Sequence, residues 1–397
     1  MQPPLPGALD HVDAQSLRLI VHASAAGSQV RIRLSNLYGD TPLSIGAARI
    51  ALPTDGADID RESDHALAFA GKHSVVIPPH ATVVSDPVAM QVPALADLAI
   101  SLYLPEATPV TSLHILAQQT GYVSRPGDAT AAAHYPTARK IDAWPFLTGV
   151  DVLAVPAAFA VLAFGDSTVD GDGSTADANH RWPDALAKRL QASGRNVAVL
   201  NAGLIGNRLL YGSPGVPPFG KALGEAGVDR FSRDVIGQPG VKVVILRIGG
   251  NDIGFSHGVA KPAESVNAAA LIAGYRRLTA LAHQHGLRVL GTTIPPFEGT
   301  TLPGYWTPAK EVTRRQVNDW LRQSRDFDGM VDFDTIVRDP AHPSRLLPAF
   351  DSGDHLHPND AGYRAEAAAI PLEIIAPPAI AKDHASAHPG IGIEQSP

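Results

Sequence analysis

Phe159-Ala160-Val161-Leu162-Ala163-Phe164-Gly165-Asp166-Ser167-Thr168 is the stretch on which the reading of the chain turns. Six consecutive apolar residues describe a strand buried on both faces, as strands of parallel sheets are. The run then breaks into glycine and polar residues. The same event recurs downstream. Val197 to Leu200 leads into Asn201-Ala202-Gly203-Leu204-Ile205-Gly206-Asn207, and Val241 to Ile248 leads into Gly249-Gly250-Asn251-Asp252. Val289 to Ile294 and Met330 to Phe333 read as two further strands, and after the last a long loop reaches Asp354-His355-Leu356-His357-Pro358.

Helices are expected between these strands. Pro183 to Ala192 carries proline at its first position and is stopped by Gly194. Leu271, Tyr275, Leu278 and Ala282 recur at helical spacing up to Gly286, Val317, Trp320 and Leu321 mark another helix, and residues 359 to 370 a last one. Strand and helix in alternation predict a parallel sheet covered by helices on both faces. Ligands of such sheets bind beyond the carboxyl ends of the strands, so the polar clusters are expected at one rim.

Upstream the pattern is different. From about residue 17 to 125, short β-like runs alternate with turn residues: Leu17 to His22, Gln29 to Ser35, Ile45 to Leu52, Ser74 to Ile77, Val83 to Val92 and Leu98 to Leu104. Val30-Arg31-Ile32-Arg33-Leu34 alternates apolar and basic, as a half-buried strand should, and Asn36-Leu37-Tyr38-Gly39-Asp40 is a turn. This half predicts an all-β sandwich of jelly-roll type. The expected division is a sandwich over 1–150, an α/β domain over 151–380, and a disordered Ala/His/Pro/Gly-rich tail over 381–397, with the sandwich packed on the second domain and walling its cleft.

Composition excludes several classes. The 397 residues are 45% hydrophobic, carry a formal net charge of -7 and contain no cysteine. Acidic balance argues against a nucleic-acid partner, and the absence of cysteine rules out disulfides, thiolate metal ligands and thiol catalysis. No apolar run is long enough to span a membrane. Met1 to Asp10 has neither the basic nor the apolar region of a secretory leader, so none is expected in this chain.

The rim clusters hold the groups that acyl transfer needs. A serine hydroxyl becomes a nucleophile when a base takes its proton. His357 can be that base for Ser167, and Asp354, three residues earlier, can orient the imidazole. The backbone N–H groups of Ser167 and Gly206 and the side-chain amide of Asn251 can stabilise an oxyanion. No metal or cofactor is called for. Four such blocks in this order resemble the SGNH (GDSL-like) hydrolase family over about 157 to 378: Phe164-Gly165-Asp166-Ser167, Asn201 to Gly206, Gly249 to Asp252, and Asp354-x-x-His357-Pro358. The resemblance implies a flavodoxin-like sheet, cofactor-free ester hydrolysis, and Ser167, Gly206, Asn251 and His357 as the name-giving residues. Arg181-Trp182-Pro183-Asp184 and Asn318-Asp319-Trp320, with Arg33 to Gly39 upstream, resemble a subgroup of arylesterases and acylhydrolases that carry an N-terminal sandwich. The subgroup implies short acyl esters of carbohydrates as substrates and a secreted or periplasmic location. Thr168 stands where the family's nickname has leucine, which leaves the mechanism untouched.

Other readings compete. Gly254-Phe255-Ser256-His257-Gly258 fits a nucleophile elbow, but it begins several residues past the end of its strand. Gly215 to Lys221 lacks the hydroxyl residue of a phosphate loop, having Ala222, and Pro217 and Pro218 remove N–H donors. Asp170, Asp172 and Ser174 open like a calcium loop, but Thr175 and Arg181 stand where its glycine and glutamate belong. Asp166 is expected to brace its turn, Asn207 either to cap a helix or to bind substrate, and His355 to be a loop histidine. Phe297, Tyr305 and Trp306 are candidates for stacking on a sugar or aryl ester, or for packing a long loop; Trp182 and Trp320 are expected in the core. An acyltransferase would use the same triad, and a carbohydrate-binding protein would use the sandwich alone.

Overall fold

The computed structural model describes residues 1–5 and 9–376; the expected tail at 381–397 lies outside the described residues. The N-terminal half is an all-β sandwich. One antiparallel sheet runs in the order Thr137–Ile141, Gly121–Pro126, Gln15–Ala23, Ala96–Leu104, Ala47–Ala51, His65–Ala66. In the other, Gly27–Ser35 pairs with Leu147–Val152 on one side and with Thr82–Val84 and Val88–Val92 on the other. Leu17, Leu19, Ile100 and Leu102 of the first sheet meet Val30, Ile32, Leu34 and Leu147 of the second in one apolar core. The alternation at residues 30–34 has its cause here: Val30, Ile32 and Leu34 point inward, while Arg31 and Arg33 reach Asp151 on the neighbouring strand.

Two expected runs are each split. Ile45 to Leu52 breaks at Gly46, so that Leu43–Ile45 pairs with Val75–Ile77 and Ala47–Ala51 with Ala96–Leu104. A Cβ at Gly46 would lie 2.9 Å from the Tyr103 ring. Val83 to Val92 breaks over 85–87, where Pro87 has no N–H for a ladder. The strands after residue 125 lack strong apolar alternation; Thr137–Ile141 is almost wholly exposed at a sheet edge.

In the C-terminal half five parallel strands run in the order Val197–Gly203, Phe159–Gly165, Val241–Arg247, Arg288–Thr292, Gly329–Val331. This is the flavodoxin-like order, with its switch point between the first and third strands in sequence. The unbroken apolar run now has its explanation. Leu162 and Phe164 face a core built with Ala268–Gln284 and Pro308–Gln323. Val161 and Ala163 face a second core built with Trp182–Ala192 and Asp360–Ala369. Trp182 is fully buried and Trp320 half-buried.

The sandwich docks onto the segment that follows Ser167. His114 Nε2 donates to Asp170 Oδ1 at 2.7 Å, Arg181 donates to the Ala117 carbonyl at 2.6 Å, and the Thr120 hydroxyl donates to Asp177 at 2.7 Å. The Ser24 hydroxyl accepts from the N–H of Val199, on the edge strand of the parallel sheet. No described sandwich residue lines the cavity at the strand ends. The contacts with Asp170, Asp177 and Arg181 brace the loop after Ser167.

Candidate active site

Gly165 ends the first strand, and a Cβ there would lie 2.0 Å from the Arg247 carbonyl on the next strand. Only glycine lets the two strands close up at this point. Asp166 then caps the short helix Ser167–Asp170, its Oδ1 accepting from the Thr168 N–H at 3.0 Å and the Thr168 hydroxyl at 2.6 Å. Ser167 is thereby held at the first helical position, just past the carboxyl end of Phe159–Gly165.

The loop after the fifth strand brings His357 over it. Ser167 Oγ and His357 Nε2 are 2.8 Å apart, and His357 Nδ1 and Asp354 Oδ2 are 2.5 Å apart. Asp354 Oδ1 also accepts from the N–H groups of Leu356 and His357 at 2.9 and 2.8 Å. One carboxylate thus shapes the turn and orients the ring. Burial opposes ionisation of Asp354, but its bonds to His357 and Leu356 hold the carboxyl well below the usual range. Burial likewise pulls the His357 pKa down; the Asp354 hydrogen bond and the charges of Asp172, Asp354 and Asp166 outweigh it and leave the pKa raised. His355 bonds Asp351 and is half-exposed, away from Ser167.

The second and third clusters meet at the same place. Gly206 has φ +68°, and a Cβ would lie 2.6 Å from Leu223. Among the described residues, no acceptor takes the N–H of Ser167 or of Gly206. Asn251 is fixed at both ends of its amide: Oδ1 accepts from the Tyr305 hydroxyl at 2.8 Å, and Nδ2 donates to the Asn207 carbonyl at 3.0 Å. One Nδ2 hydrogen remains for another acceptor. Asn207 neither caps a helix nor faces the site. It is fully buried, and its amide pins the carbonyls of Leu223 and Glu225.

Three features escape the sequence reading. Arg230, fully buried over the Phe164 ring, donates to the carbonyls of Gly165 and Ala202 and to Asn207 Oδ1, tying the first two clusters together. Tyr305 orients Asn251. Asp172 lies beside His357, its Oδ2 3.7 Å from Nε2. An arginine 63 residues from the serine and a tyrosine in a Pro/Gly loop give no local signal.

Ser167, Asn251, Ile248, Ile294, Phe297 and Leu356 are among the residues around a cavity of about 30 Å³. Phe297 and Tyr305 are buried and pack edge to face at 5.3 Å, and Trp306 is half-buried against the same core. Ser256 is occupied elsewhere, donating to the Asp252 carbonyl and accepting from the Val266 N–H. Asp170 and Asp172 point to different histidines, His114 and His357, so the calcium-like spacing does not gather ligands.

The chain is similar to known proteins. Residues 163–365 match the sequence model of the GDSL-like Lipase/Acylhydrolase family. Similar solved structures include an aryl esterase of M. smegmatis, 18% identical, covering 53% of this chain and 95% of that one with a TM-score of 0.40. A carbohydrate acetylesterase from Sinorhizobium meliloti is 17% identical, with coverage of 53% and 95% and a TM-score of 0.40. A GDSL-like lipase from Bacteroides thetaiotaomicron is 16% identical, with coverage of 54% and 87% and a TM-score of 0.39. No curated protein matches the chain.

Proposed function

The chain belongs to the GDSL-like lipase/acylhydrolase family and is a carboxylic ester hydrolase, and from that premise we propose that it cleaves short acyl esters, acetyl esters of carbohydrates foremost, through an acyl-enzyme on Ser167. The observation that carries the assignment is the relay Ser167 Oγ, His357 Nε2, His357 Nδ1, Asp354 Oδ2, at 2.8 and 2.5 Å. With Nδ1–H donating to Asp354, Nε2 is left unprotonated toward the serine. As Oγ attacks the ester carbonyl, its proton passes to Nε2. The resulting imidazolium is stabilised by Asp354, and its proton then goes to the leaving alcohol. Water repeats the sequence on the acyl-enzyme.

The N–H groups of Ser167 and Gly206 and the spare hydrogen of Asn251 Nδ2 are the donors for the oxyanion. Tyr305 and Asn207 keep the Asn251 amide from rotating, so the donor is in place before charge develops. The small apolar pocket that Ile248, Ile294, Phe297 and Leu356 form beside Ser167 supports a short acyl group. We further propose that 1–150 and 151–380 act as two domains, the first bracing the loop after Ser167.

A panel of p-nitrophenyl esters tests the reading. Activity is expected to be highest on acetate, to fall with each added methylene, and to drop by at least ~10³-fold in Ser167→Ala. Folded Ser167→Ala with wild-type activity would refute it.

A further inference from the structure

Two carboxylates flank His357, one at each ring nitrogen. Asp354 bonds Nδ1, while Asp172 Oδ2 stands 3.7 Å from Nε2. That separation exceeds a hydrogen bond, so the Asp172 carboxylate is beside the proton-transferring nitrogen without being tied to it.

Its backbone is fixed. The Asp172 N–H donates to the Ser167 carbonyl at 3.0 Å, and its own carbonyl accepts from the Tyr363 hydroxyl at 2.5 Å. Gly173 follows with φ +84°, where a Cβ would lie 2.7 Å from the Pro358 carbonyl. Two residues earlier, Asp170 is held by His114 from the sandwich. The side chain keeps 30% of its surface exposed, and among the described residues no lysine or arginine pairs with it. Burial pushes its carboxyl pKa upward, with the His357 charge opposing.

A carboxylate so placed has a consequence for the leaving group. In ester cleavage the departing oxygen must come within hydrogen-bond reach of Nε2 to collect its proton as the C–O bond breaks. That brings it next to Asp172, whose negative charge disfavours an electron-rich oxygen unless a donor lies between them. A hydroxyl on the carbon adjacent to the ester-bearing carbon meets that need. It lies beside the leaving oxygen and can donate to Asp172 Oδ2. Asp172 only accepts this bond; no proton is transferred to it.

We propose that Asp172 recognises the hydroxyl next to the scissile ester, which makes the site selective for monoacylated vicinal polyols, sugars among them, over simple alkyl esters. This rests on the ester-hydrolase reading above. It separates the roles of the two carboxylates: Asp354 serves the imidazole, and Asp172 serves the alcohol. It also implies discrimination against leaving groups that carry an anion at the same position.

The test uses the full chain and three acetates whose leaving groups differ in whether and where they carry free hydroxyls. Glycerol 1-acetate carries a vicinal hydroxyl, 1,4-butanediol monoacetate carries a distant one, and propyl acetate carries none. The wild type is expected to favour glycerol 1-acetate in kcat/KM by about 10- to 100-fold, the range of a hydrogen bond to a charged group. Asp172→Asn and Asp172→Ala should collapse that preference, measured above the His357 titration. Equal kcat/KM on the three esters in the wild type would overturn the proposal with no variant needed. A parallel fall on all three in the variants would also overturn it, since Asp172 would then act through His357 alone. Covalent labelling of Ser167 by a phosphonate separates this failure from that of the parent reading. A wild type that is neither labelled nor active on any ester removes both, whereas one that is labelled and active but indifferent to the vicinal hydroxyl removes this proposal only.

Discussion

Asn251→Ala is predicted to damage rate and stability together, by separable amounts. Two buried groups lose their partner: the Tyr305 hydroxyl, 2.8 Å from Asn251 Oδ1, and the Asn207 carbonyl, 3.0 Å from Nδ2. Each such orphan costs about 1–3 kcal/mol, so a loss on the order of 2–6 kcal/mol is expected. For a unit of this size that is a fall in Tm of roughly 4–24 °C. The missing oxyanion donor costs a further ~10²–10³-fold in kcat, or roughly 3–4 kcal/mol of transition-state binding, with KM little changed because the charge develops only during reaction. Tyr305→Phe serves as the internal control. It keeps the ring packed against Phe297 and Phe255 and removes one of the two anchors, so it should cost about 1 kcal/mol of stability and roughly 10-fold in kcat. The assay is steady-state kinetics well below Tm, normalised by active-site titration with a phosphonate, alongside a melting curve. A lowered Tm with wild-type kcat per titrated site would show that Asn251 only closes the turn after its strand, and would refute the oxyanion role.

Other outcomes follow from the same geometry. The base must be neutral to take the serine proton, and the His357 pKa is raised by Asp354, Asp172 and Asp166 against burial, so kcat/KM should fall as pH drops through a value above the ordinary ~6.5; activity flat from pH 5 to 8 would contradict a histidine base. Removing one of those charges in Asp172→Asn should move this limb to lower pH, read from the pH profile on propyl acetate. Ser256→Ala, at a hydroxyl bonded to Asp252 and Val266, should lower Tm modestly and leave kcat within a few-fold, whereas an inactive but folded variant would reopen the elbow reading. A chain starting near Val155 loses the bonds to Asp170, Asp177 and Arg181 and should be insoluble or much less active; one that is soluble, stable and fully active would show that the sandwich braces nothing.

Local pattern carried the architecture. The run at 159–164 reads as a doubly buried strand because every second residue faces one of two cores, and that requirement leaves an unbroken apolar signature. Glycine stands at strand ends where backbones approach closely, as at Gly165 and Gly203. Asp354 and His357 could be paired by spacing, since three residues of one turn set their separation. Bonds between distant segments are another matter. The clamp of Arg230 on Gly165 and Ala202, the hold of Tyr305 on Asn251, the placement of Asp172 beside Nε2 and the grip of His114 on Asp170 each join residues with no periodic relation. The exposed edge strand Thr137–Ile141 likewise has no buried face to impose alternation. Periodicity records which face of an element is buried; which residue meets which across the core depends on how the elements pack, and so these contacts, including those that aim the site, were decided by the tertiary structure alone.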